Sequence, residues 1–284
     1  NHKKGSLNTH TIRFWEKQFK QIKPKIFSGN RRYYNNEDIE LLKKVKYLLK
    51  VQGMTINGVK KLLNSNSSLK LDEFSKNSIS AKDMANVKSV IKSGWLTHGK
   101  FTNLFERKFS EFTKSKFSLT VSSCTAGLHI SCIAAGFSKG DEVIVPSMTH
   151  TATAHAVEYT GAKAVFADVE TISGNVNLDY IKKKVTSKTK GLIVVHMAGL
   201  PCDLKPIIKF CKKKNITLLE DCAHALGTTY QSKHVGNFGL SGCFSFYPTK
   251  QITTGEGGIV VTNNENFYNK IKKLKAFGID TDVS

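Results

Sequence analysis

Two periodicities divide this chain. Between Thr9 and Leu63 apolar residues recur at helical spacing: Ile12, Trp15 and Phe19, then Ile39, Leu42, Val45 and Leu49, then Ile56, Val59, Leu62 and Leu63. This spacing predicts three short amphipathic helices, the first capped by Thr9 or Thr11 and the second opening near Asn36. A turn at Ser28-Gly29-Asn30 and the cluster Arg31-Arg32-Tyr33-Tyr34 separate the first two. From Ser80 the pattern becomes one of short Val/Ile/Phe-rich runs: FSLTVS, DEVIVPS, AKAVFADV, KGLIVVHM, ITLLED, GCFSFY and GGIVVTN. Helical stretches lie between most of these seven strands, so an α/β fold with a mainly parallel sheet is expected. The intervening LNSNSSLKLDEFSKNS has no apolar face and reads as a linker. The expected organisation is therefore a head at 1–70, a linker at 71–79 with the join near Phe74, and a larger domain at 80–284.

Composition sharpens this picture. A hydrophobic content of 40% suits a soluble core. The longest apolar run, around Gly191 to Leu200, is broken by His196 and is about half of the ~20 residues a bilayer span needs, so no membrane partner is expected. Neither a signal peptide nor a C-x-x-C spacing is present, and the six scattered cysteines read as reduced thiols in a cytoplasm, with no metal site. The first residue is not methionine and the last stretch, AFGIDTDVS, has no terminating element, so the chain reads as a piece of a longer gene product. The net charge of +21 is uneven, because residues 1–76 hold 17 Lys+Arg against 6 Asp+Glu. Lysine bias explains an excess overall, while clustering on a small head is the footprint of a polyanion binder.

In a parallel sheet, ligands sit beyond the carboxyl ends of the strands. There the sequence places Ser122-Ser123-Cys124-Thr125-Ala126-Gly127 before a helix, Ser147-Met148-Thr149-His150, Asp221 followed by CAHALG, and FSFYPTKQITTGEGG with Ser245 and Lys250. Small hydroxyl residues at a helix N-terminus make an anion site. Taken singly, an Asp after a strand is equally an N-cap, a Ser in a strand a packed residue, and Gly257-Gly258 a plain turn. Together they ask for one ligand with an anionic group, an aromatic ring and a basic nitrogen.

From Thr11 to Ile56 the residues TIRFWE, GNRRY, DIELL and GMTI resemble the DNA-binding head of the MerR family, an all-α winged helix-turn-helix. The resemblance implies double-stranded DNA as partner, Thr11 and Arg13 on the recognition helix, and Arg31, Arg32 and Tyr33 as a wing on phosphates. Adjacent arginines beside an aromatic can neutralise phosphates and seat a helix in the major groove. A small helical bundle with a solvated lysine face is the alternative.

From about Ser80 onward, SGWLTHG, SSCTAGLH, DEVIVPSMTHTATAHAV, VHMAGLPCD, LLEDCAHALG, VGNFG and FSFYPTKQITTGEGG are similar to the DegT/DnrJ/StrS-type sugar aminotransferases. This implies the large domain of a type I pyridoxal-phosphate transferase, with a mainly parallel seven-stranded sheet and the small C-terminal domain missing. Pyridoxal 5′-phosphate is the implied cofactor and a homodimer the implied assembly. Glutamate is the implied donor and a nucleotide-activated keto-sugar the acceptor, in cell-surface polysaccharide or amino-sugar biosynthesis. By resemblance Lys250 bonds covalently to the cofactor, Asp221 pairs with the pyridine nitrogen, His150 stacks on the ring, and His224 lies near the phenolic oxygen. Thr125, Ala126 and Ser245 hold the phosphate. His150 departs from an expected Phe or Trp, and Cys124 from a usual Gly. A lysine with an ordinary pKa of about 10.4 is neutral in only about one molecule in 2,500 at pH 7. Its ammonium must be destabilised to react, for which the apolar Phe244, Phe246 and Tyr247 are the expected means. The alternatives are a regulator whose aminotransferase-like part senses a ligand, and an artificial join of two gene fragments.

Overall fold

The computed structural model describes residues 9–27, 29, 31–51, 56, 59, 60, 63, 78–276 and 278. The chain divides into two compact units, 1–76 and 77–284. Ser28, Asn30, Leu62 and residues 71–77 of the expected linker, Phe74 among them, lie outside the described residues. Among the described residues no helix is long and apolar enough to cross a membrane.

In the first unit α1 (Thr9–Gln18) is followed by a two-stranded antiparallel hairpin, β1 (Lys25–Phe27) and β2 (Arg31–Tyr33), and by α2 (Asn36–Lys46). The expected wing is thus a short β-hairpin. Trp15, Phe19, Leu42, Val45, Leu48 and Val59 are buried together. Ile39, predicted to point inward, is 40% exposed, and Asp38 is buried instead. The cause is a capping box: Asn35 Oδ1 accepts the Asp38 N–H at 2.7 Å, while Asp38 accepts from the Asn35 N–H and, at 2.9 Å, from the Lys23 N–H. Tyr47–Val51 is π-helical. There Leu48, three residues after buried Val45, is buried and Leu49 is half-buried.

The second unit opens on α3 (Ala81–Ser93), whose Ser80–Asp83 capping box marks its start, and α4 (Lys100–Thr113). All seven predicted strands then form one sheet: β3 (Phe117–Val121), β4 (Glu142–Pro146), β5 (Lys163–Ala167), β6 (Thr189–Val195), β7 (Thr217–Asp221), β10 (Ser241–Ser245) and β11 (Gly258–Thr262). Their spatial order is β3-β11-β10-β7-β6-β4-β5, and β11 alone runs antiparallel to its neighbours. A small hairpin of β8 (Thr229–Tyr230) and β9 (Lys233–His234) was not foreseeable from turn signals, since Gln231 and Ser232 adopt the positive φ values that Asn-Gly or Gly would advertise.

Helices cover both faces. Val143, Val145, Ile193 and Leu219 pack with α5 (Cys124–Ala134), α6 (Thr151–Glu158) and α9 (Glu265–Lys275). Ile144, Leu192, Val194 and Leu218 face the other way, with α7 (Leu178–Lys182) and α8 (Leu204–Lys214). Consecutive residues of one strand serve opposite cores because strand side chains alternate. Continuous apolar runs are the result.

Candidate active site

The register of the sheet assembles an arc of strand ends. Gly258, which begins β11, stands opposite both Val121, the end of β3, and Ser245, the end of β10. Asp221, the end of β7, stands beside Cys243 of β10 and Val195, the end of β6. Every one of the expected strand-end positions is therefore at one edge of the sheet, because β11 reverses direction and starts where its neighbours finish.

Asp221 is 4% exposed. Its Oδ2 accepts from Thr153 Oγ1 at 2.7 Å and its Oδ1 from the Ala223 N–H at 3.1 Å. Cys124 Sγ lies 4.0 Å from Oδ1. Burial pushes the Cys124 thiol well up, Asp221 and Cys243 add to this, and the Lys250 ammonium opposes it. Lys250 is half-buried. Burial lowers its pKa, against the opposing influence of Cys124 and Asp221. Half-buried His224 is likewise lowered by burial and then by the Lys250 charge, with Asp221 opposing and His150 adding. These mutual influences place Asp221, Lys250, His224, His150 and Cys124 in one neighbourhood. Gln251 Nε2 donates to the His224 carbonyl at 2.8 Å, tying the lysine loop to the loop after β7.

The phosphate-binding expectation meets a detail. Ser123 caps α5 through Oγ, which accepts the Ala126 N–H at 3.1 Å, so that donor is engaged. By helix geometry the Cys124 and Thr125 N–H groups have no intrahelical acceptor. A Cβ added at Gly258 would stand 2.5 Å from Cys124 N and 2.5 Å from the Ser123 carbonyl carbon, so only glycine lets β11 meet this helix start. Ser245 Oγ accepts the Tyr247 N–H at 3.3 Å. His150 is exposed and serves as N-cap of α6, its Nδ1 accepting the Ala152 N–H at 3.1 Å. Phe244 and Phe246 are buried against Phe109 of α4, at ring-centroid distances of 5.2 and 5.8 Å, and Tyr247 is 47% exposed.

Two functional neighbours escaped the sequence. Thr153 is fully buried on Asp221, and the only trace of it was a Thr four residues from Thr149. Glu220 adjoins Asp221 but faces the other way, fully buried, and accepts from His196 Nε2 at 3.1 Å and the N–H groups of Gly236, Phe238 and Gly239. His196, Glu220 and Cys222 have metal-ligating atoms within 4.8 Å of one another. Glu220 already receives four donors, and His196 Nδ1 accepts the Cys202 N–H at 3.2 Å, so this cluster is a structural clamp rather than a metal centre.

In the first unit Arg13, Arg31 and Tyr33 are exposed and Thr11 is half-buried. Arg32 is otherwise engaged: its Nε lies 3.0 Å from both carboxylate oxygens of Glu16, which also accepts from Tyr34 Oη at 3.1 Å. Arg32 therefore braces the hairpin against α1.

A family model described as the DegT/DnrJ/EryC1/StrS aminotransferase family matches residues 77–284, and one described as MerR HTH family regulatory protein matches residues 3–66. GDP-perosamine synthase of Escherichia coli O157:H7 is 40% identical over 203 residues, which are 71% of this chain and 56% of that protein. Among solved structures, an aminotransferase from Psychrobacter cryohalolentis is similar with TM-score 0.70 and 36% identity, over 73% of this chain and 55% of that one. Helicobacter pylori PseC, an aminotransferase involved in the biosynthesis of pseudoaminic acid, gives TM-score 0.69 and 34% identity over 74% and 57%. The chain spans about half the length of the relatives it matches.

Proposed function

The chain belongs to the DegT/DnrJ/EryC1/StrS aminotransferase family, and from that premise we propose that it transfers an amino group from an amino acid, with glutamate as donor, to a nucleotide-activated keto-sugar. Pyridoxal phosphate is the cofactor, and the setting is amino-sugar or cell-surface polysaccharide biosynthesis in the cytoplasm. The observation that carries this reading is Lys250: a half-buried amine, its pKa lowered by burial, in the neighbourhood of the buried Asp221 carboxylate at the strand ends. The relatives named for perosamine and pseudoaminic acid support the sugar acceptor.

The donor set fits the cofactor. Asp221 would hold the pyridine nitrogen, the Cys124 and Thr125 N–H groups with Ser245 the phosphate, Lys250 Nζ the aldehyde carbon, His224 the ring hydroxyl, and His150 a ring face. When bound, the cofactor supplies an electron sink for the carbon that loses and regains a proton. The chain supplies the rest. Burial weakens the hold of Lys250 Nζ on its proton, which suits that atom to taking and returning a proton. Asp221 is closed off from solvent, so its carboxylate would act on the ring nitrogen with little screening by water.

The first unit is proposed to bind double-stranded DNA through Arg13, Arg31 and Tyr33, which are all exposed. Assembly as a homodimer completes the reading; it is supported by an apolar stripe on α3, where Met84, Val87 and Ile91 are each more than half exposed. The test of the enzyme reading is spectroscopic. Adding pyridoxal phosphate should produce a visible absorbance band in the wild type and none in Lys250→Ala. A band that survives the substitution would remove Lys250 from its role.

A further inference from the structure

Asp221 is held by a two-step chain of hydroxyls. Thr153 Oγ1 lies 2.7 Å from Asp221 Oδ2, and Thr149 Oγ1 lies 2.7 Å from Thr153 Oγ1. Thr153 is fully buried. A hydroxyl has one proton, and a carboxylate oxygen can only accept. Thr153 therefore spends its proton on Asp221 and must accept from Thr149, which fixes the direction of both bonds: Thr149 to Thr153 to Asp221.

The backbone holds this chain in place. His150 caps α6 between the two threonines, with its Nδ1 on the Ala152 N–H and its carbonyl accepting the Thr153 N–H at 3.1 Å. Thr149 stands just before the N-cap and Thr153 in the first turn of α6, so the entry of the chain into the helix brings the two hydroxyls together. The other carboxylate oxygen of Asp221 is fixed independently by the Ala223 N–H at 3.1 Å. The Cys124 thiol adds a long, weak contact to that same oxygen at 4.0 Å, so Thr153 is the donor that fixes Oδ2 and with it the plane of the carboxylate. Without Thr153 both remaining donors act on Oδ1.

We propose that Thr153, backed by Thr149, is a positioning residue that locks the orientation of the Asp221 carboxylate for the ring nitrogen of the cofactor. This rests on the aminotransferase reading above. Neither threonine is required to touch substrate, so their contribution is to geometry: affinity for the cofactor and turnover depend on them, while affinity for the amino donor does not.

The experiment compares wild type, Thr153→Val, Thr153→Ser and Thr149→Val, each titrated with pyridoxal phosphate and followed by visible absorbance and by the circular dichroism of the bound chromophore. Apo-protein melting curves and, where turnover is measurable, kcat and KM complete the set. Thr153→Val keeps the shape and removes the hydroxyl. It should weaken cofactor binding roughly tenfold or more, the loss expected for one hydrogen bond to a charged group. The circular dichroism band should diminish, kcat should fall and KM for the amino donor should stay unchanged. Thr153→Ser should behave like wild type, and Thr149→Val should show a smaller loss in the same direction. Wild-type affinity and dichroism in Thr153→Val would overturn the proposal and leave the aminotransferase reading standing. No band in the wild type would overturn both. If Thr153→Val does not fold, the other two variants decide: a Thr153→Ser protein with a large loss, or a Thr149→Val protein with none, overturns the hydroxyl chain.

Discussion

Glu220→Gln changes shape little and removes one charge, so it isolates what that buried charge does. Glu220 Oε1 accepts the N–H groups of Phe238 and Gly239, each at 2.7 Å, and Oε2 accepts the Gly236 N–H at 2.8 Å and His196 Nε2 at 3.1 Å. A glutamine has one accepting oxygen, and its amide nitrogen is itself a donor. Two of the four donors would be stranded in the interior. At about 1–3 kcal/mol for each stranded group the cost is about 2–6 kcal/mol, a large share of the ~5–15 kcal/mol that holds a domain together. The dependence on acid carries a sign. Burial by itself would raise the Glu220 pKa, but the His196 hydrogen bond and the Gly239 and Gly236 N–H groups outweigh it, and the net direction is down. A carboxyl depressed in the folded state contributes its full stability above its unfolded pKa of about 4.3 and loses it as pH falls through the lower folded value. Glutamine does not titrate. Urea unfolding of both proteins across pH should therefore show a gap that is constant near neutrality and narrows in acid. A neutral-pH gap under about 0.5 kcal/mol, the size of an ordinary surface substitution, would refute the reasoning, as would a gap that ignores acid.

Gly258→Ala should cost about 1–3 kcal/mol in thermal unfolding and also weaken pyridoxal phosphate binding. The added Cβ meets the backbone of Ser123 and Cys124, which cannot move without displacing the start of α5. Wild-type melting and wild-type affinity together would argue against the close approach. The two arginines of the hairpin should separate in function. Arg31→Ala should leave the melting of the head unchanged and lower the salt slope of its DNA affinity by about one, the signature of one lost phosphate contact. Arg32→Ala, which removes the partner of Glu16, should instead destabilise the head by about 1.5–3 kcal/mol. Equal effects of the two on DNA affinity, with equal melting, would give Arg32 the same role on phosphate as Arg31.

How much of this was legible beforehand differs residue by residue. The seven strands and their parallel class follow from short apolar runs alternating with helical ones, a local property that any window of the chain displays. Asp221 and Lys250 stood out as candidates for a related reason, since one ends a strand and the other follows a strand end in a distinctive run of residues, and strand ends are where an α/β sheet keeps its chemistry. The contact of Arg32 with Glu16 was not legible, because sequence shows two adjacent arginines as a pair. A strand sends neighbours to opposite sides, so Arg31 points to solvent while Arg32 reaches Glu16 sixteen positions away. Ile39 failed for a comparable reason, since the capping box of α2 gave its inward place to Asp38.

What the sequence by itself determined was the kind of fold and the residue types available at the edge of the sheet, because periodicity and motif are local. What only the tertiary structure decided was which of those residues are partners. Glu220 and Asp221 are consecutive acids in LLED, yet one anchors the 236–239 loop and the other receives Thr153. Their roles diverge because the strand points them to opposite faces, where different distant segments arrive to meet them.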